Sequence, residues 1–229
     1  LIVPKSFVQI ATGAVLGYLL LFPYSGSAGN MDPLNSSERS IAARLAAPSA
    51  SSQTMFSTRR LGASATSSAP EPAILLIERR PINKNKPDSR LADVFVYDYA
   101  SNELERSIID LNTRTLVDRS RSQGTQLPLI QAEIDRAETL LFDDEEQFRL
   151  INQEYQRIIG QPLTNPAQLH VKAFTFHADN LPQKVNQAAA ECGIRRCAQL
   201  LIYTDTNIIF EITPIIDLSA NVVIQNIGF

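Results

Sequence analysis

Two stretches decide the fold: ADVFVYDYASNELERSIIDLNTRTLV, residues 92–117, and AQLLIYTDTNIIFEITPIIDLSANVVI, residues 198–224. Each reads as an apolar strand ending in Tyr97 or Tyr203, a polar turn, and a second strand closing on the shared tetrapeptide Ile-Ile-Asp-Leu, Ile108 to Leu111 and Ile215 to Leu218. Working upstream, Pro33-Leu34 followed by Glu38, Ala42 and Leu45 recurs at identical spacing as Pro128-Leu129 followed by Glu133, Ala137 and Leu140. A proline near the start, acids in the first turns and apolar residues at helical spacing predict a helix opening in each copy. One further strand is expected between helix and strand pair, at Ala73 to Ile77 and Leu169 to Phe176, and a short last strand at Thr115 to Val117 and Val222 to Ile227.

The repeat unit is therefore helix, strand, strand, strand, strand. Alternation such as Ile208, Phe210 and Ile212 against Glu211 and Thr213 predicts half-buried antiparallel strands, so each copy is an α+β layer: an antiparallel meander of three to four strands with a helix across its apolar face. The boundaries fall at 29–127 and 128–229. Residues 46–72, rich in Ala, Ser and Pro, form an expanded and mostly mobile connection in the first copy. Phe56 to Leu61 is a candidate short second helix there, the counterpart of Glu145 to Ile158 in the second copy.

At 229 residues and 44% hydrophobic content, the chain can bury two small cores. A net charge of −3 and a pI near 5.5 argue against neutralising a nucleic-acid backbone. Residues 1–28 are of another kind: Lys5, the apolar run Phe7 to Phe22, Pro23, then Gly26-Ser27-Ala28 follow the order of a cleavable export signal. The alternative is a retained N-terminal anchor, although the 16-residue run reaches only about 24 Å against a hydrocarbon core of about 30 Å. Both readings place the rest of the chain outside the cytoplasm. In such a compartment Cys192 and Cys197, in ECGIRRC, are expected to form a disulfide that joins a helix end to a strand start, the alternative being two free thiols.

The stretch from Leu91 to Ile158 resembles the junction of the second and third N-terminal domains of copper amine oxidases. The residues that carry the resemblance are Asp110-Leu111 at a strand end, Gln126 with Pro128, Glu133 and Ala137 on the following helix, and Phe148 entering the next. The resemblance extends over most of residues 33–229 and implies two tandem cystatin-like modules. In that family these domains are auxiliary, and catalysis belongs to a large C-terminal β-domain for which this length leaves no room. The cofactor-forming Asn-Tyr-Asp/Glu motif is missing, since Tyr97 follows Val96, and the three-histidine copper site cannot be built from His170 and His177. Seven apart on one expected strand, those two should point to opposite faces. The resemblance implies no amine oxidase reaction, no catalytic residue, no metal and no cofactor.

Other chemistry is poorly supplied. Asp143, Asp144, Glu145 and Glu146 suit a helix N-terminus and its dipole better than a hard cation. Asp110 and Asp217, paired by the repeat, suit Asx turns at strand ends better than acid-base work. The distinctive surface feature is the twelve-residue segment Arg79 to Arg90, with five basic residues against one acid; Arg79, Arg80, Lys84, Lys86 and Arg90 are the candidate contacts to an acidic partner or anionic lipid, if the segment is more than a solvated loop. Residues 131–154 are oppositely polarised, with eight acids against two Arg. The expected function is a non-catalytic extracytoplasmic interaction or accessory subunit, associated with a membrane or a membrane protein complex. The alternative is a soluble periplasmic protein that binds a small ligand between its modules.

Overall fold

The computed structural model describes residues 31–47, 69–81 and 89–228. In chain order they form α1 (Ser36–Ala46), β1 (Ala73–Arg79), β2 (Leu91–Asp98), β3 (Glu103–Asp110), β4 (Thr115–Gln123), α2 (Gln131–Asp143), α3 (Glu145–Ile159), β5 (Leu169–Thr175), β6 (Cys197–Thr204), β7 (Thr213–Asp217) and β8 (Val222–Ile227). The strands make two antiparallel four-stranded meanders, β1-β2-β3-β4 and β5-β6-β7-β8, so the chain is α+β. No helix among the described residues is long and apolar enough to cross a membrane, and residues 1–28, Phe56 to Leu61, Lys84 and Lys86 lie outside the described residues.

The two sheets share a register. Leu91, Ala92 and Asp93 pair with Asp110, Ile109 and Ile108, as Cys197, Ala198 and Gln199 pair with Asp217, Ile216 and Ile215. Both also carry a register shift at the same place, between Ile108 and Ile109 and between Ile215 and Ile216. Alternation then sends Ala92, Val94, Val96 and Ile109 to one face, against Leu34, Ala42 and Ala46 around α1. Ala198, Leu200, Ile202 and Ile216 face Ala137, Leu141, Ile151 and Tyr155 of α2 and α3. On the opposite faces the halves diverge. Ile108 is half-buried, whereas Ile215 is fully buried with Phe176, Ala178, Ala189, Cys192, Cys197 and Ile227, because the longer 176–196 connection folds over that end of the second sheet.

The same buried clamp fastens a helix to a sheet in each half. Glu38 and Glu133 occupy the third position of α1 and α2, where one carboxylate oxygen accepts from the backbone N–H of Asn35 (2.9 Å) or Ile130 (3.0 Å). Arg90, preceding β2, donates to both oxygens of Glu38 (2.5 and 2.8 Å) and to the carbonyls of Asp32 and Pro33. Arg196, preceding the equivalent position of β6, donates to both oxygens of Glu133 (2.7 and 2.8 Å) and to the carbonyls of Leu127 and Pro128. The planar guanidinium fork thus neutralises the carboxylate and satisfies the carbonyls of the chain entering the helix.

Three sequence expectations need correction. β4 extends to Gln123, well past Val117, because the polar run DRSRSQ is held by cross-strand ion pairs: Arg119 and Arg121 reach Glu105 at 3.1 and 2.9 Å. Residues 208–212 do not continue a strand. The buried Glu154 carboxylate on α3 accepts from the N–H groups of Glu211 (2.6 Å) and Ile212 (3.2 Å), taking donors a ladder would need, and only Tyr203 and Ile209 form a bridge there. Phe210 is buried, but Ile208 is exposed rather than sharing its face. His177 lies beyond the end of β5 rather than on a strand shared with His170.

Removing one member of the buried clamp leaves its partner charged in the interior. Arg196→Met is therefore expected to lower the unfolding free energy by about 3–5 kcal/mol in urea titrations, with part of the loss restored in the Arg196→Met/Glu133→Gln double variant. The clamp also sets an acid limit. The hydrogen bond from Arg90 holds Glu38 below the ordinary carboxylate value; burial pushes Glu133 up, but Arg196 overcomes it and the net direction is down. Both contributions are present above the ordinary value of 4.5 and are lost as pH falls through the lower folded values, so acid destabilisation should begin below pH 4.5, and the Glu133 share of it should be absent in Arg196→Met, where burial is no longer overcome.

Candidate functional site: the seam and the bare sheet faces

The two halves meet through the turn between β2 and β3. Tyr97 and Tyr99 pack edge to face with ring centroids 5.1 Å apart, and both are buried in the core of the second half together with Leu75 and Leu104. The Tyr99 hydroxyl donates to Glu133 (2.8 Å), with the Arg136 guanidinium 4.5 Å above its ring. The Tyr97 hydroxyl donates to the Ile194 carbonyl (3.3 Å), and Arg196 lies 5.5 Å over the Tyr97 ring. Gln126, in the link between the halves, accepts from Arg196 (3.1 Å) and donates to the Gly193 carbonyl (3.0 Å). The seam is filled with side chains. The Glu133–Arg196 clamp is thus both the helix anchor of the second half and the centre of its contact with the first.

The candidate residues fare unequally. Cys192 and Cys197 are bridged, as the spacing suggested. Arg90 is a correction: its side chain is only 5% exposed and clamped to Glu38, so it presents no charge to a partner, and the reason is its position next to β2 rather than out on the loop. Arg80 is a third exposed and pairs with Asp93 at 3.3 Å, and Arg79 ends β1. The loop is therefore not brought together as a cationic patch by its described residues. Asp110 and Asp217 cap their turns as expected, accepting from Asn112 and Thr113 (2.8 and 3.1 Å) and from Ser219 and Ala220 (both 2.9 Å). Asp144 caps α3 by accepting from Gln147 (3.0 Å), with Glu145 and Glu146 in its first turn.

Sequence reading missed a surface on the second sheet. The 176–196 connection covers only one end of the face opposite α2. At the other end β5 and β6 present His170, Lys172 and Phe174 beside Leu201 and Tyr203, and Ile209 bridges to Tyr203. Phe174 is 55% and Ile209 52% exposed. The Tyr203 ring is flanked by the His170 ring at 5.1 Å and the Lys172 ammonium at 5.4 Å, and His170 meets Asp205 at 2.7 Å. The residues at alternate positions 170, 172 and 174 were the available signal, because one side of that strand is aromatic and cationic while the other is aliphatic. On the first sheet the outer strand β4 is exposed along nearly its whole length, including Leu116 and Val117.

No family model and no curated protein matches this chain. A solved structure does: the copper-containing benzylamine oxidase from Hansenula polymorpha superposes with a TM-score of 0.54 over 88% of this chain and 30% of that one, at 13% identity. The likeness is one of fold. This chain spans 30% of the length of that oxidase, and an N-terminal-domain-like architecture is what the two share.

The seam tyrosines provide a spectroscopic test. Burial first, then the neighbouring Glu133 charge, pushes the Tyr99 hydroxyl far above the usual phenol range, and burial also raises Tyr97. A raised folded value makes their contribution to stability complete below the ordinary value of 10 and lost as pH climbs above it. In an alkaline absorbance titration, the tyrosinate signal from these two should appear only together with unfolding, and that late step should vanish in Tyr97→Phe/Tyr99→Phe. Tyr99→Phe alone should destabilise by about 1.5–3 kcal/mol, since it deletes a hydrogen bond to a charged group.

Proposed function

We propose that this chain is a non-catalytic accessory protein of an extracytoplasmic compartment, built as two tandem cystatin-like modules, 29–127 and 128–229, that dock on a protein partner belonging to a membrane complex. The shared register, the shared bulge and the duplicated Arg–Glu clamp support the two-module reading. The Cys192–Cys197 bridge supports an oxidising compartment.

The observation that carries the non-catalytic reading is where buried charge goes. Among the described residues the buried side chains of Asp, Glu, Lys or Arg type are Arg90, Asp93, Glu105, Glu133, Glu154, Arg196 and Asp217. Arg90, Glu133 and Arg196 build the clamps, Asp93 and Glu105 bind arginines across the first sheet, Glu154 holds the 211–212 backbone and Asp217 caps a turn. Catalytic groups converge on a cleft with perturbed protonation; these groups instead hold elements to one another. The surface available for work is the bare, aromatic end of the second sheet, since contiguous exposed apolar area rimmed by polar groups marks docking sites on proteins.

The test compares membrane co-fractionation and cross-linking of wild type with two variants in the native host. Phe174→Ser/Ile209→Ser should lose association while its thermal midpoint stays near wild type, both side chains being more than half exposed. Arg79→Ser/Arg80→Ser/Lys84→Ser/Lys86→Ser should lose it only if the basic segment contributes, and moderate salt should then mimic that loss by screening charges beyond about 10 Å. Unchanged association in both variants would reject docking through these surfaces, and turnover of any substrate lost on changing Glu133 or Asp217 with the fold intact would reject the non-catalytic reading.

A further inference from the structure

The bridge encloses four residues, Gly193, Ile194, Arg195 and Arg196, and three of them make the seam. Gly193 and Ile194 offer carbonyls to Gln126 and Tyr97, while Arg196 reaches Gln126, Leu127, Pro128 and Glu133 and stacks over Tyr97. Arg195 turns the other way, to Asp217 at 3.0 Å. The loop is tightly wound: Gly193 N–H donates to the Arg195 carbonyl, and both Ile194 and Arg195 N–H groups donate to Glu191. Gly193 sits at φ 111°, and a Cβ there would meet the His177 ring at 3.1 Å, so the winding requires glycine.

The first half supplies an internal control. Arg90 holds the position of Arg196, but Leu91 stands where Cys197 does, so no bridge can form there; Arg90 reaches Glu38, Asp32 and Pro33 of its own half. The bridge occurs in the copy whose arginine loop faces the neighbouring half. A cross-link needed only to fasten a helix to its sheet would serve both copies.

We propose that the Cys192–Cys197 disulfide is a redox lock on the seam between the halves. When oxidised, the bridge holds the loop as a rigid plug with its two carbonyls and the Arg196 guanidinium aimed at Tyr97, Gln126 and Glu133. An external dithiol opens it by ordinary exchange: a thiolate attacks one sulfur, the second thiol displaces the mixed disulfide, two electrons and two protons end on Cys192 and Cys197, and the dithiol leaves as its own cyclic disulfide. Cys192 and Cys197 are 5% and 1% exposed, so exchange proceeds through opening of the 176–196 cover and is slow in the resting protein. Once open, the loop loses its winding and the seam loosens, while each sheet keeps its own ladder.

Hydrogen exchange read by mass spectrometry tests this on the full chain, comparing oxidised protein, protein reduced with dithiothreitol and Cys192→Ser/Cys197→Ser. The expected result is about tenfold faster exchange in peptides reporting on the 99–102 turn and on 126–133 in both bridge-free forms, with the β1–β2 ladder unchanged. A control, Ile227→Val, weakens the cover while leaving the bridge intact. Acceleration confined to 177–197 would reduce the bridge to a local staple and overturn the lock, as would an identical seam response in Ile227→Val.

Discussion

A carboxylate in the first turn of a helix, gripped from behind by an arginine that stands at the head of a strand, organises both halves of this protein. Helix N-termini leave backbone donors without partners, and a glutamate at the third position can satisfy one of them only if its own charge is tolerated in the interior. Arg90 and Arg196 make it tolerable, and because each is tied by sequence to β2 or β6, helix and sheet are fixed relative to one another before any apolar contact is counted. Burial of Ala42, Ala46, Ala137 and Leu141 then fills the space that the ion pair defines. The small alanines are what permit the close approach of helix to sheet.

The two copies put this device to different uses. In the first it is local and slightly open to solvent, with Glu38 16% exposed; in the second it is dry, with Arg196 and Glu133 at 0% and 2%, and it is extended by Tyr99, Tyr97 and Gln126 into the contact between halves. A duplicated element has thus kept its role within each half and acquired a second role in one. The divergence on the opposite faces has the same origin: the long connection before β6 both buries Ile215 and delivers the bridged loop to the seam, whereas Ile108 stays half-buried.

Much of this was readable from residues alone. The Ile-Ile-Asp-Leu repeat located the ends of β3 and β7 to within one residue, and the recurrence of Pro, Glu and Ala at equal spacing located α1 and α2, because those signals are local. Aligning the copies also set Arg90 opposite Arg196 and Glu38 opposite Glu133, which would have revealed the clamp; Arg90 was instead grouped with its basic neighbours, since charge density along the chain carries no information on direction. β4 was truncated at Val117 because its continuation is polar on both faces and is held by arginines whose partners lie on β3. The irregular path at 208–212 depends on Glu154, more than fifty residues away, and alternation cannot register a distant carboxylate. The bare face of β5 and β6 was invisible for a related reason: which end of a sheet a connection covers is decided by its path in space.

The long outer strand β4 has a bearing on how copies of this protein behave towards each other. An unpaired nine-residue edge invites a second edge to zip against it. Two β4 strands laid antiparallel about Asp118 oppose aspartate to aspartate, about Arg119 oppose arginine to arginine, and about Ser120 oppose Arg119 to Arg121. Like charges directly across a ladder repel, so each of the most extensive matches carries its own penalty. The alternation of Asp118, Arg119 and Arg121, whose arginines pair with carboxylates of β3 within one molecule, thus opposes zipping of identical molecules through this edge.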